Sequence, residues 1–436
     1  MTATSGSPSP ARGAQRAALA AQKLPLSDVV VIDFTHVIAG PFAAMILADL
    51  GAKVIKVETP GRGDTARGTP PHDDGISHFF AAVNRNKQSV ALNIKDADGK
   101  RMIEELVAQA DVVLHNFRPG VMEKLGLAYE DLCRIRPDLV YCAISGFGQD
   151  GPLRDRPAFD GVIQAMAGLM SLTGEAGGAP VRAGLSVGDY IPGLYAALAI
   201  VVALRERDRS GAGQFIDVSN FDCLFNIMGY YIPHYELTGK VTERNGGAHP
   251  TVVPMGGFPT ADGHIVVAAF NQTFWRNLCR ALGKTEWLDD PRFVSLSTRA
   301  QHSALLFAEL SAALKTKTTA EWERIFDAGD VPCGPVLNVA DLVGHPQIRH
   351  RHLTGKLGVG RMSAPMRPVK YRGIEQEVWL SPPRLGEDTL AVLREFGCLN
   401  GEDTPEQLEL WARSGVIQDP SLPPAEHAKG GKPRKG

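Results

Sequence analysis

Residues 29–57 constrain the fold more than any other stretch. Val29-Val30-Val31-Ile32-Asp33-Phe34 is a continuous, largely β-branched run, as expected of a strand buried on both faces. Gly40-Pro41 then opens a helix, with proline at an early position where its missing N–H costs nothing. Phe42, Met45, Ile46 and Leu50 share one helical face, and Gly51 ends it. Lys53-Val54-Ile55-Lys56-Val57 follows at once as a second apolar run. A strand, a helix and a strand so closely spaced form a β-α-β unit, so the strands are parallel and the crossover right-handed. The pattern recurs, with helices over 100–110 and 129–136 and strands over 111–115 and 139–145. The fold class expected is therefore α/β: an open, Rossmann-like parallel sheet with helices on both faces.

Composition narrows the function. The 436 residues allow roughly two to three domains. A hydrophobic fraction of 44% and a charged fraction of 22% are those of an ordinary soluble globular protein. The net charge of -2 points to neither nucleic acid nor an anionic membrane as partner. The cysteines (133, 142, 223, 279, 333 and 398) form no Cys-x-x-Cys pair and have no histidine cluster beside them. That argues against a metal site or a disulfide framework and fits a reducing, cytoplasmic compartment. No apolar run reaches the length of a membrane span; the longest lies around 195–204. Residues 1–23, rich in Ala, Ser, Gly and Pro, read as a disordered arm without a signal core. Residues 419–436 read as a disordered basic tail.

Open α/β sheets bind ligands beyond the carboxyl ends of their strands. Three loops are expected there, at 36–40, 58–67 and 116–120. None is a Gly-x-Gly-x-x-Gly fingerprint or a phosphate-binding Gly-x-x-x-x-Gly-Lys-Ser/Thr loop, which disfavours a dinucleotide enzyme. The loops and their surroundings do hold cations: Arg62, Arg67, Arg85, Lys87, Arg118 and Lys124. These are either solvated surface charges or charge-assisted donors to a phosphorylated nucleotide such as coenzyme A. Gly188-Asp189-Tyr190-Ile191-Pro192-Gly193 precedes an apolar helical run over 194–204. Asp189 then stands at the N-cap or in the first turn, where free N–H groups and the positive helix end favour its ionised form. Such a carboxylate is either a plain cap or a nucleophile able to form a mixed anhydride with an activated acyl group.

Several segments in order resemble the class III CoA-transferases, the formyl-CoA transferase type whose relatives include the 2-methylacyl-CoA racemases. They are Asp33-Phe34-Thr35-His36-Val37-Ile38-Ala39-Gly40-Pro41, Leu50-Gly51-Ala52-Lys53-Val54-Ile55-Lys56-Val57-Glu58, Asn84-Arg85-Asn86-Lys87, and Asn116-Phe117-Arg118-Pro119-Gly120 with Lys124-Leu125-Gly126. Phe159-Asp160-Gly161, Gly188-Asp189, Gly211-Ala212-Gly213-Gln214 and Val331-Pro332-Cys333-Gly334-Pro335 continue the match, which runs from about Leu24 to Gly397. The resemblance implies a large α/β domain made from both chain ends, with a smaller α+β domain inserted between them. It also implies two chains interlocked as a homodimer. In this sequence the large domain would cover 24–225, a linker 226–244 and the small domain 245–330. A hairpin turn would lie at 260–264, and residues 331–418 would return to the large domain.

The same resemblance makes Asp189 the catalytic nucleophile. It assigns Val37, Ile38 and Ala39 to the nucleotide loop, Leu92 and Lys95 to a second contact region, and Asn116, Phe117, Arg118 and Lys124 to a third. Asp160 matches an acidic position near the nucleophile, with a helix cap as its alternative. The arginine that some members carry after the Glu58 position is Thr59 here, so Arg62 or Arg67 is the expected substitute. The implied substrates are an acyl-CoA, by family habit succinyl-CoA or a similar short dicarboxylyl thioester, and a carboxylic acid. No metal and no permanently bound cofactor is implied. Racemase relatives carry a His-Asp pair where this chain has Phe159-Asp160, and phenylalanine cannot shuttle a proton. CoA transfer is thus favoured, a 2-methylacyl-CoA epimerase is the alternative, and a non-catalytic CoA-binding protein is a third reading.

Overall fold

The structure is a computed structural model describing residues 10–249, 252–374, 379–401 and 404–426. The segment expected to be a disordered arm instead contains a helix, α1 (Pro10–Ala20), with proline at its first position and an alanine-rich sequence behind it. The rest of that arm, 1–9, and the end of the expected tail, 427–436, lie outside the described residues. The tail's first residue, Asp419, is buried and accepts the Leu390 N–H at 3.1 Å, so this end of it is packed.

The chain runs through β1 (Val30–Asp33), α2 (Ala39–Asp49), β2 (Lys53–Glu58), β3 (Lys87–Leu92), α3 (Ala97–Val107), β4 (Val112–His115) and α4 (Val121–Leu125). It continues with β5 (Val140–Ser145), α5 (Asp160–Met166), α6 (Val187–Ser210), β6 (Gln214–Ser219) and α7 (Asn220–Asn226). Further on come β7 (Met255–Pro259), β8 (His264–Ala268) and β9 (Cys333–Pro335). Near the C-terminus lie α8 (Thr389–Glu395), α9 (Pro405–Ser414) and the edge strand β10 (Ile417–Gln418).

The main sheet is seven-stranded in the order β10-β3-β2-β1-β4-β5-β6. Every neighbouring pair is parallel except β10 with β3. The order 3-2-1-4-5-6 is that of dinucleotide-binding sheets, even though their glycine fingerprint is absent. Register aligns Val54, Val31, Val112 and Val140 in one row and Ile55, Ile32, Val113 and Tyr141 in the next. Successive side chains point to opposite faces, so the two rows serve different cores. The first row packs on Ala43, Ala44 and Leu47 of α2 and on Ala196, Ile200 and Ala203 of α6. The second packs on Met102 and Leu106 of α3, Leu393 of α8 and Trp411 of α9. Each aliphatic side chain buried this way contributes about 1.5–3 kcal/mol.

Helix α6 begins at Val187, seven residues before the apolar run that marks it in sequence. Pro192 lies inside it and removes one backbone donor, an N–H that would otherwise bond the Gly188 carbonyl. At Gly193 a Cβ would stand 2.7 Å from the Ala39 carbonyl oxygen, so glycine is what lets α6 approach α2. The helix is long and apolar enough, by length and composition, to cross a membrane, contrary to the expectation from the shorter run. One face nevertheless packs into the core beside the sheet, while Leu194, Leu198 and Val202 on another face are exposed.

Packing divides the chain into two compact units. The first holds residues up to Ala167, Leu185–Ile227 and the residues from His350 on. The second holds Gly168–Gly184 and Met228–Arg349. Against an insert expected at 245–330, the second unit starts earlier, ends later and takes in Gly168–Gly184 as well. The second unit has its own core around Trp275, Phe293, Leu310 and Phe326, under an antiparallel sheet in which β8 pairs with β7 and β9. The β7–β8 connection is the hairpin expected at 260–264, closed by the Thr260 N–H on the Gly263 carbonyl at 2.9 Å.

Candidate active site

Strand order reverses direction at β1: the chain steps to β2 on one side and reaches β4 on the other. Loops leaving the carboxyl ends of β1 and β4 therefore diverge and leave a crevice. A cleft of about 280 Å³ lies there, within the first unit. His36, Val37, Ile38 and Ala39 line it after β1, Asn116 and Phe117 after β4, Ser145 and Gly146 at the end of β5, and Asn220 just after β6. Asp189, in the first turn of α6, completes it together with Thr65, Ile144, Ala158 and Phe159.

The β1 loop is tied at nearly every backbone group. The Thr35 N–H donates to Asp33 Oδ1 at 2.8 Å, and the Thr35 carbonyl accepts from Lys56 Nζ at 2.6 Å. Asn116 grips His36 twice: its Oδ1 accepts the His36 N–H and its Nδ2 donates to the His36 carbonyl, both at 2.8 Å. The Val37 N–H donates to Asp64 Oδ1 at 3.1 Å. Val37 has φ 70°, a left-handed conformation that β-branched residues avoid. Such strain persists only where the surroundings over-determine it, as these bonds do.

Four fully buried charges support the loop from below. Lys87 Nζ donates to Asp33 Oδ2, Asn84 Oδ1 and the Pro41 carbonyl, each at 2.9 Å. Lys56 Nζ stands 3.0 Å from Asp64 Oδ2. Burial pushes the Lys87 ammonium down to about 8, with Asp33 pulling the other way. Burial also opposes charge on Lys56, but Asp64 and Asp33 outweigh it and hold the ammonium above its usual range. Against its own burial, Asp64 is held well below the usual carboxylate range by Lys56 and His36.

Asp189 is placed by its neighbours. The preceding Gly188 N–H donates to Asp160 Oδ1 at 2.9 Å, and Gln164 Nε2 donates to both oxygens of Asp160. A Cβ at Gly188 would stand 3.0 Å from Asp160 Oδ1, so the absence of a side chain permits this grip. Tyr190 packs edge-on against Phe42 at 4.8 Å, and its phenol is raised by burial and by Asp189. Ala39, in the first turn of α2, and Asp189, in the first turn of α6, bring two helix N-termini to one cleft. Helix N-termini carry positive partial charge and unpaired N–H groups, which favour an anionic nucleophile and a developing oxyanion.

Of the residues singled out in sequence, Val37, Ile38, Ala39, Asn116, Phe117 and Asp189 converge on the cleft. Asp160 accepts the Gly188 N–H and so holds the turn that bears Asp189. Arg67 does not face the cleft: Glu58 takes its Nε at 2.8 Å and its Nη2 at 2.6 Å, the Pro383 carbonyl takes its Nη1, and its guanidinium lies 3.7 Å over the Phe80 ring. Leu92, at the end of β3, is wholly buried in the core and does not line the cleft. Lys95, Arg118 and Lys124 are exposed, follow the carboxyl ends of β3 and β4, and do not line the cleft. Ser145, Gly146 and Asn220 were not anticipated. The strand over 139–145 was legible, and its carboxyl end belongs on the same sheet edge, but its loop carries no recognisable pattern.

The sequence profile of CoA-transferase family III matches residues 26–389. The chain is 39% identical over 375 residues to the succinyl-CoA:glutarate CoA-transferase of Mus musculus, covering 85% of this chain and 86% of that one. It is 40% identical over 376 residues to the acetyl-CoA:oxalate CoA-transferase of Acetobacter aceti, covering 86% and 96%. Among solved structures, a CAIB/BAIF family protein from Brucella suis superposes with a TM-score of 0.79 at 35% identity, covering 86% of this chain and all of that one.

Proposed function

Since the chain belongs to CoA-transferase family III, we propose that it moves CoA from a short dicarboxylyl thioester such as succinyl-CoA to a carboxylic acid, with Asp189 as covalent carrier. The carboxylate attacks the donor thioester carbonyl and expels CoA thiolate, leaving an aspartyl mixed anhydride. Thiolate attacks the aspartyl carbonyl of that anhydride, releasing the donor's free acid and leaving an aspartyl-CoA thioester. The acceptor carboxylate attacks this thioester, forms a second anhydride and expels thiolate again. Thiolate then attacks the acceptor's acyl carbon, giving the new acyl-CoA and regenerating the Asp189 carboxylate. No net bond energy is lost, because one thioester replaces another.

The observation carrying this reading is the placement of Asp189 in the cleft at a helix N-terminus, beside the N-terminus of α2. The donor class rests on relatives named for succinyl-CoA, including a succinyl-CoA--D-citramalate CoA-transferase of Chloroflexus aurantiacus. Phe159 lines the cleft where a racemase would need a proton carrier, which supports transfer over epimerisation. The exposed apolar face of α6 supports a homodimer, with a second copy covering it.

The test is peptide mass spectrometry after mixing the protein with succinyl-CoA and quenching with hydroxylamine. A hydroxamate on the Asp189 peptide, absent in Asp189→Ala, is expected. An unmodified peptide across a panel of acyl-CoAs, together with deuterium wash-in at the α-carbon from D2O, would instead establish the epimerase.

A further inference from the structure

Asn220 is buried to nine-tenths, and its Oδ1 finds no hydrogen-bond donor among the described residues. Among the described residues whose buried side-chain atoms lack a hydrogen bond, Asn220 is the one that lines the cleft. Its side chain does not cap α7 either, since the preceding Ser219 performs that role by accepting the Asp222 N–H at 3.1 Å. An unpaired buried acceptor weakens folding, so an apolar residue of similar size would suit the fold better. Residues that break a local rule without a structural return are expected at functional sites.

We propose that Asn220 binds the CoA arm, its side-chain oxygen accepting a hydrogen bond from the pantetheine amide nearest the thioester sulfur. The inference rests on the CoA-transfer reading of the same cleft. Its chemistry follows from what the substrate brings. A dicarboxylyl group at neutral pH carries no donor, and neither does the thioester. The first N–H along the substrate lies two methylenes beyond the sulfur, close to the carbon that Asp189 must reach. That amide must leave water when the cleft closes around the thioester, and Asn220 offers it an acceptor already stripped of water. The bond would fix how the thioester presents its carbonyl to Asp189.

Titration calorimetry on the full chain tests this with two probes: CoA, and an analogue whose sulfur-proximal amide is replaced by an ester, which lacks the N–H. The wild type should bind the analogue about tenfold more weakly than CoA. Asn220→Leu should bind both alike, at about the wild type's affinity for the analogue, and should melt no lower than the wild type. A variant that binds CoA as well as the wild type, or that still separates the two probes, overturns the proposal. So does an effect confined to the KM of the acceptor acid. A chain that shows the expected binding pattern but transfers no CoA keeps this proposal and loses the transfer reading; one that binds neither probe loses both.

Discussion

Acidification from pH 7.5 to 5.0 should weaken the first unit by about 2 kcal/mol through a single imidazole, that of His115. His115 ends β4 and is buried, edge-on to Tyr141 at 5.3 Å and stacked beside Phe117 at 6.1 Å. Its Nδ1 accepts the Phe117 N–H at 3.3 Å, a role that only the neutral ring can fill. Burial pulls its pKa from the usual 6.5 down to about 4. Between these values the unfolded chain binds a proton that the folded chain does not, so stability is intact above pH 6.5 and is lost as pH falls toward 4. At pH 5 the unfolded imidazole is almost wholly protonated and the folded one about a tenth, which gives the figure of about 2 kcal/mol at 1.36 kcal/mol per unit. The assay is urea unfolding at both pH values, comparing the wild type with His115→Asn, which keeps an acceptor but cannot titrate. The variant should be less stable at pH 7.5 because it loses ring contacts, yet should lose about 2 kcal/mol less on acidification. The carboxyls of Asp33, Glu58 and Asp64 are held below their ordinary range, so their losses come at lower pH and are shared by both chains. Parallel pH dependence in the two chains would refute the reasoning.

Asp64→Asn leaves buried Lys56 without its nearest counter-charge and should lower stability by about 3–5 kcal/mol while raising the KM for acyl-CoA, because Val37 also loses its carboxylate anchor; an unchanged melting temperature would sink this account. Gly188→Ala sets a methyl 3.0 Å from Asp160 Oδ1 and 3.1 Å from its carbonyl, so the turn bearing Asp189 must shift. Steady-state kinetics should show kcat lowered on the order of tenfold to a hundredfold with a much smaller change in melting temperature. Leu198→Glu puts a charge in the exposed stripe of α6 and should turn a dimer into monomers by light scattering; an unaltered mass would mean the stripe is not an interface.

Local sequence carried much of the sheet. The strands over 29–34, 53–57, 111–115 and 139–145 and the helix after Gly40 are visible because their apolar periodicity is set by the backbone repeat, a property of neighbouring residues. Strand β3 was missed because it begins with the polar Lys87, Gln88 and Ser89; Lys87 is buried against Asp33, and Ser89 against Glu58 and Asp388, all from distant segments. The start of α6 was legible to within a turn, since Asp189 was expected at its N-cap or in its first turn and lies in the first turn, although the apolar run itself begins only at Leu194.

The site divides along the same line. A carboxylate before an apolar helix, and the residues 37–39 and 116–117 after two strands, could be named from sequence because strand ends and helix starts are local events. Whether a cation reaches the cleft could not. Arg67 is spoken for by Glu58 and the Phe80 ring, and that commitment exists only once β2 and its following loop have folded together. The same holds for Asn220, whose residue type says nothing until the fold places it in the lining of the cleft and buries its oxygen without a donor among the described residues. The sequence by itself determined the class of fold and the place of Asp189 in the first turn of a helix, through short-range pattern and helix-end chemistry. The partners of the buried charges, the strained β1 loop and the contents of the cleft were decided by tertiary structure, because hydrogen bonds and desolvation depend on which distant side chains are brought within a few ångströms.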